Sequence, residues 1–508
     1  MMGATAAPSC APADQRGVAT VDVVTRDQVR GGVVVVCPVR LRDALEPWLA
    51  DRGRTRDVTI ISPATDAETT RTAIRRSADH QLRGDKPPVD SVVLIGDVPA
   101  FVRPTTTTRR FGSTATLVTD LPYADFNDDR RVDAAVGRWP VASKVQLTRL
   151  VEKILASDRS NDFGPWRSRL ELVGGLGGFG SVTDSAIELA TRSILTSRLP
   201  RDVRTGVLYA SPGHAFFPKY NSFPAAVTGR FNRGSRFWVY AGHGFIDVLD
   251  RVPPQTGPPI IDARTAATRL DVPPGRQPIA MLLACYTGAH DATIDSLAGS
   301  MLVAPGGPVA VVAGTRVTMP YGNASLALNL IDAVYDHRDS TLGRAWVRSL
   351  NQLVRPISDA NDRPPSEVAV DAIAGLLNPG GGLNAERLEH AMLYTLFGDP
   401  TMRLHPPLDA SVAATFSPEH ERIAITINSP IAGTADVFVD RPLPGDPDDG
   451  NRIELKSTRT PIAANSPTLV HIATEATEAD PTLLRRLIIR AHVASPSQWA
   501  TGSTTLNP

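Results

Sequence analysis

The chain has 508 residues, and because one hydrophobic core stops growing at about 250–300 residues, three structural units are expected. Lys and Arg number 53 and Asp and Glu number 53, with 21% of residues charged, so no net field steers the chain onto nucleic acid or anionic lipid. The 42% hydrophobic content fills cores, yet no run approaches the 18 or so apolar residues of a membrane helix, which predicts a soluble protein with no membrane span.

Residues 1–30 read as a tail. They lack both the basic start and the apolar stretch of a secretory signal, so the chain as written reads as cytoplasmic. Val33-Val34-Val35-Val36-Cys37 is then a continuous β-branched run, the pattern of a strand buried on both faces of a parallel sheet. Val58 to Ile61 and Ser91 to Ile95 repeat it, with helix-like segments between, and Ala134-Ala135-Val136 leads into a helix expected over 143–157. These elements make an amino-terminal α/β subdomain, 31–158.

A second alternation spans 159–405. Strands are expected at 170–173, 207–210, 237–241, 279–284 and 308–313, and helices at 184–199, 323–336, 341–354 and 384–396. Strands alternating with helices predict a parallel sheet covered on both faces. From Pro406 the chain turns to short strand-like runs, such as Ile423 to Ile427, Ala435 to Val439 and Leu487 to Val493, separated by Pro, Gly and Asp. Such spacing over 406–508 predicts an immunoglobulin-like β-sandwich.

Among 10 histidines and 3 cysteines, one of each falls where an α/β sheet builds its site, at the carboxyl ends of core strands. Tyr240-Ala241-Gly242-His243-Gly244 ends one strand, and Leu283-Ala284-Cys285-Tyr286-Thr287-Gly288 ends the next. Taken singly, His243 is a turn residue and Cys285 a small core residue; together they form a candidate dyad. Cys10, Cys37 and Cys285 are too far apart in sequence for a thiolate metal site or a disulfide framework.

The segments WVYAGHG and LLACYTG resemble the histidine and cysteine blocks of the gingipain-like cysteine peptidases, which have a caspase-like fold. VVLIGDVP at 92–99, LPYADFNDDRRVDAAVGRWPVAS at 121–143 and LYTLFGDPTMRL at 393–404 fit the same family in the same order. The resemblance implies a caspase-like catalytic domain and a cysteine endopeptidase acting on polypeptides. Cys285 would attack as thiolate, His243 would act as base and then acid, and the amides of Gly244 and Cys285 would hold the oxyanion. It also implies Asp133, ahead of Gly137-Arg138, as the acid that orients His243. For members that cut after Arg or Lys, an acid is needed in the pocket, and Asp291 and Asp295 are the candidates. The family is usually exported, which the tail does not reflect. No cofactor is required.

Asp125-Phe126-Asn127-Asp128-Asp129 opens like a calcium loop, but Arg130 stands where that loop has Gly and Val136 where it has Glu. This favours a solvated acidic turn, with structural calcium in another geometry as the alternative. Gly175-Leu176-Gly177-Gly178-Phe179-Gly180 matches a dinucleotide fingerprint, but the next strand ends in Ser211-Pro212-Gly213 without the acid that would bind a ribose, so a loop at the active edge is expected. His214 and His290 are expected at the surface. The competing functional reading is a non-catalytic protein-binding module on the same scaffold.

Overall fold

The computed structural model describes residues 31–177, 199–214, 216–218, 222–359, 363, 365–377, 381–442, 452–473, 484 and 486–506. The tail with Cys10, glycine-loop residues 178–180 and all but the end of the helix expected at 184–199 lie outside the described residues. Among the described residues, twelve strands precede residue 405: β1 (Gly32–Val36), β2 (Asp57–Ile61), β3 (Val89–Ile95), β4 (Phe101–Pro104), β5 (Thr116–Thr119), β6 (Ala135–Trp139), β7 (Arg169–Gly174), β8 (Arg204–Tyr209), β9 (Phe237–Ala241), β10 (Ile279–Leu283), β11 (Ala310–Gly314) and β12 (Tyr394–Phe397). Ten of them form one sheet in the order β2-β1-β3-β6-β12-β11-β10-β9-β7-β8, while β4 and β5 pair as a separate ribbon.

The continuous apolar runs are central strands because they can be dry on both faces: all five residues of β1, of β10 and of β11 are buried. Every neighbouring pair in the ten-stranded sheet is parallel except β11 and β12. Strand β12 runs antiparallel to β11, with Gly314 opposite Tyr394, and parallel to β6, with Phe397 opposite Arg138. The two parallel blocks therefore run in opposite directions, and the amino-terminal end of β6 shares an edge with the carboxyl ends of β9, β10 and β11. The helix expected over 384–396 ends at Leu393. Tyr394-Thr395-Leu396-Phe397 is buried at every position, and pairing on both sides overrides the helical period that continues into it.

Two polar clamps fix the seam strand β12 and its neighbour β6 to the first block. Just past β12, the buried Asp399 accepts from Trp48 Nε1 at 2.6 Å, Arg52 Nη2 at 2.7 Å and Thr401 Oγ1 at 2.6 Å. Arg52 also reaches Asp158 at 2.5 Å. On β6, Arg138 makes a bidentate pair with Asp120, at 2.7 and 2.6 Å, and gives its remaining amine to the Val98 carbonyl. Both partners are buried.

One contiguous core runs from Val33 to Leu404 and a second from Ala410 to Leu506. The second lies between a five-stranded sheet, including Gly433–Pro442, Ile488–Ala494 and Trp499–Thr505, and a three-stranded sheet of Ser411–Ser417, Arg422–Asn428 and Thr468–Ala473. Ile423, Ile425 and Ile427 from one sheet and Ala435, Val437 and Val439 from the other are buried in alternation, the packing of a β-sandwich.

Replacing Asp120 by Asn leaves the buried Arg138 charge uncompensated, so urea unfolding is expected to show a loss of about 3–5 kcal/mol. Burial raises the Asp120 carboxyl, but the Arg138 guanidinium outweighs it and holds the group below its ordinary value. The stabilisation is therefore complete above the unfolded value of about 3.9 and is lost as pH falls through the depressed folded value. Acid titration of the unfolding midpoint should show this loss in wild type and not in the variant.

Candidate active site

Strands β9 and β10 are adjacent and parallel, with Ala241 opposite Leu283. His243 and Cys285 thus each stand two residues beyond a paired strand end, on one edge of the sheet. The Gly242 N–H donates to the Leu283 carbonyl at 3.3 Å, tying the two loops together. A side chain at Gly244 would start 2.7 Å from Thr287 Cγ2 and 2.9 Å from the Cys285 carbonyl oxygen, so the loop after His243 is seated directly on the cysteine segment and has room only for glycine. Tyr286, immediately after the cysteine, holds a left-handed φ of 59°, and its N–H donates to Arg316 O at 3.0 Å. Cys285 is half-buried, and the Thr318 N–H donates to its sulfur at 3.4 Å.

Behind this edge lies an acid that carries no sequence motif. Asp250 Oδ2 accepts from the backbone N–H of His243 at 3.3 Å, the N–H of Leu176 at 3.0 Å and the Tyr240 hydroxyl at 2.9 Å. The same hydroxyl lies 2.8 Å from the His243 carbonyl oxygen, so its single proton is shared between that oxygen and Asp250, and one Tyr-Asp pair contacts both backbone polar groups of His243. Burial pushes the Asp250 carboxyl up, against the pull of Tyr240, the His243 charge and the backbone donors. Burial and the Asp250 charge push the Tyr240 phenol well above its ordinary value. The network also explains the first glycine of the glycine loop: a Cβ on Gly175 would sit 2.5 Å from both Asp250 Oδ2 and the Tyr240 oxygen. The only hint in the sequence was an acid interrupting the apolar run Val248-Leu249-Asp250.

Of the other expected site residues, Asp133 lies apart from the His243 and Cys285 loops. Asp133 shares the catalytic edge, but β12, β11 and β10 stand between its strand and β9, about 19 Å at normal strand spacing. Its carboxylate accepts the Phe126 N–H at 2.7 Å and faces a cavity of about 970 Å³ shared with Asp339, Arg344 and Asn351, lined by none of the dyad residues. The structure does not bring Asp133 to His243. Asp291 forms a bidentate pair with Arg316 at 2.9 and 2.6 Å, whereas Asp295 is exposed.

In the acidic turn, Asp128 pairs with Arg71 at 2.5 Å and Arg75 at 2.8 Å, and Asp125 accepts the Arg130 N–H. Among the described residues no group of three or more His, Cys, Asp or Glu is arranged to hold a metal ion. His214 is half-buried against Tyr209 and Phe216. His290 packs edge-on to Phe397 of β12, and burial, with Arg138 nearby, pulls its ring down to about 4. Its placement beside the seam strand, which the helical reading of 384–396 concealed, moves it from the expected surface into partial burial.

The sequence matches peptidase family C25 over residues 27–405. No curated protein matches it significantly. Among solved structures, the Arg-specific cysteine proteinase gingipain R is similar at 15% identity and a TM-score of 0.54, over 95% of this chain and 99% of that one. A complex of the pro- and mature domains of RgpB from Porphyromonas gingivalis is similar at 15% identity and 0.53, over 94% and 100%. A third structure, described as a protease, gives 12% identity and 0.56, over 93% and 96%. The shared architecture is the caspase-like α/β fold with an immunoglobulin-like sandwich behind it. The chain belongs to peptidase family C25 and is a cysteine peptidase.

Proposed function

We propose that the chain is an endopeptidase in which Cys285 is the nucleophile and His243 its base. The observation that carries this reading is the seating of the Gly244 loop on the Cys285 segment at neighbouring strand ends. His243 takes the thiol proton, and the thiolate attacks the scissile carbonyl to give a tetrahedral oxyanion. The Gly244 and Cys285 amides, beyond the last paired residues of β9 and β10, are the proposed donors to that oxyanion, each worth about 2.7–4 kcal/mol where such a donor has been removed. Collapse releases the amine, which receives its proton from His243; water then hydrolyses the thioester and restores the thiol. The Thr318 N–H on the sulfur supports the thiolate.

Asp250 takes the positioning role in this scheme. It holds the His243 backbone with Tyr240 and places a negative charge beside the imidazolium formed during attack. For a cationic substrate side chain, Asp291 is already neutralised by Arg316, which leaves recognition to Asp295. No cofactor enters the chemistry. A calcium ion at the 125–129 turn would be structural and would have to draw Asp128 away from Arg71 and Arg75.

Cleavage of a peptide library under reducing conditions tests the dyad. Cys285→Ala and His243→Ala are each expected to lower kcat by about 10⁴-fold or more; absence of turnover in wild type, also after limited proteolysis, would support the binding-module reading instead. Asp250→Asn is expected to cost about 10²-fold in kcat/KM. Removing its negative charge makes both the imidazolium and the neutral thiol less favoured, so the whole pH–rate profile should move to lower pH; an unmoved profile would reduce Asp250 to a structural residue. Burial pushes the Cys37 thiol up to about 11, and its side chain is 0% exposed. Iodoacetamide at neutral pH should therefore alkylate Cys285 and spare Cys37 in the folded chain, as read by peptide mapping.

A further inference from the structure

The sulfur of Cys285 meets a second cluster of polar groups, contributed by the segment after β11, by the first turn of the helix Pro320–Tyr335 and by β12. Thr318 approaches it with two groups: the backbone N–H donates to the sulfur at 3.4 Å, and Oγ1 lies 3.9 Å away. The neighbours of that hydroxyl decide where its hydrogen points. The Tyr394 hydroxyl donates to Asn323 Oδ1 at 2.6 Å, which turns the amide nitrogen the other way, and Nδ2 donates to Thr318 Oγ1 at 3.1 Å. Oγ1 therefore accepts from Asn323 and keeps its own hydrogen for a further acceptor. Two acceptors stand within reach, the Tyr394 oxygen and the Cys285 sulfur. A thiolate is the stronger of the two, because hydrogen bonds to an ionised group are about twice as strong as neutral ones.

The frame around Thr318 is fixed on both sides. A side chain at Gly314 would start 2.6 Å from Thr318 Cγ2, so the threonine methyl is seated on the glycine backbone and the side chain has little freedom to turn. The next residue, Met319, donates its N–H to His390 Nε2 at 2.8 Å, and His390 Nδ1 lies 2.8 Å from the Glu386 carbonyl oxygen. A carbonyl only accepts, so Nδ1 carries the hydrogen and Nε2 is the acceptor. Burial pulls this ring down to about 4, which keeps it neutral and the contact intact at neutral pH.

We propose that Thr318 is a further catalytic residue, whose hydroxyl joins its backbone N–H in holding the Cys285 thiolate, and that Asn323 and Tyr394 are positioning residues that aim this hydroxyl. The assignment rests on Cys285 being the nucleophile. Were the chain of hydrogen bonds reversed, Asn323 Oδ1 would take the threonine hydrogen and the sulfur would lose it; the Tyr394 donor occupies Oδ1 and prevents the reversal. Tyr394 stands opposite Gly314 where β12 pairs with β11, so the seam strand reaches the nucleophile through two side chains. The other titratable groups around the sulfur are its proposed base His243 and the Tyr240 and Tyr394 phenols, and burial keeps both phenols protonated.

Alkylation of Cys285 by iodoacetamide across pH, read by peptide mapping of the full chain, tests this without requiring turnover. Losing a donor to a charged acceptor disfavours the thiolate. Thr318→Val should therefore move the alkylation midpoint about one pH unit higher, a tenfold loss of thiolate, while Thr318→Ser, which retains the hydroxyl, should stay near wild type. Tyr394→Phe should move the midpoint in the same direction, and the double variant Thr318→Val/Tyr394→Phe should match Thr318→Val alone, because the phenol acts only through that hydroxyl. An unmoved midpoint in Thr318→Val, or shifts that add in full in the double variant, would overturn the assignment. Should Thr318→Val fail to fold, Tyr394→Phe decides, and an unmoved midpoint there overturns it. The expected shifts in a chain that cleaves no peptide would uphold the thiolate contact and remove the endopeptidase reading.

Discussion

The four-residue strand β12 is the constraint on which this architecture depends. By pairing antiparallel with β11 and parallel with β6, it reverses the direction of one half of the sheet relative to the other. Without it there would be two separate parallel sheets, each with an open edge. With it, ten strands form one layer, and the turn that follows carries the buried Asp399 back onto Trp48 and Arg52 of the first block. The segments LYTLFGDPTMRL and DAAVGRWP, which read as family signatures, serve this join: one supplies the seam strand and its clamp, the other the strand beside it with the Arg138–Asp120 pair.

Much of the framework was legible in the chain because parallel strands buried on both faces leave continuous apolar runs. The placement of His243 and Cys285 at neighbouring strand ends was legible for the same reason: a histidine between glycines and a cysteine each follow such a run. The rest failed for identifiable physical causes. Tyr394 to Phe397 continues the apolar spacing of the preceding helix, and only its two strand partners, distant in sequence, make it extended. In the sandwich, Arg452–Ile462 is rich in polar residues and gives little apolar signal, although it pairs along the whole of Gly433–Pro442. Asp133 was attractive for its position ahead of Gly137-Arg138, but linear proximity to a motif does not measure how many strands intervene. Asp250 had no motif at all, since its partners are a tyrosine hydroxyl and two backbone amides.

The two sides of the site show opposite treatments of buried polarity. Around Asp250 one carboxylate oxygen takes three donors, and two glycines, Gly175 and Gly242, make room for the network by omitting side chains. The outcome is a backbone fixed at His243, the residue proposed to move the proton. Around Thr318 the polar groups stand in a line instead, with Tyr394 donating to Asn323 and Asn323 to the threonine.

The seam also sets a schedule for biogenesis. Strand β6 is complete at Trp139, yet its partner β12 begins only at Tyr394. At about 5–20 residues per second, on the order of 10–50 s of synthesis separates them. Throughout that interval the first block presents an apolar strand with one edge unpaired, the kind of surface that recruits other extended chains. That edge waits for the last strand of the peptidase core. The vulnerable period of this protein therefore falls during translation, and it ends when one short strand arrives.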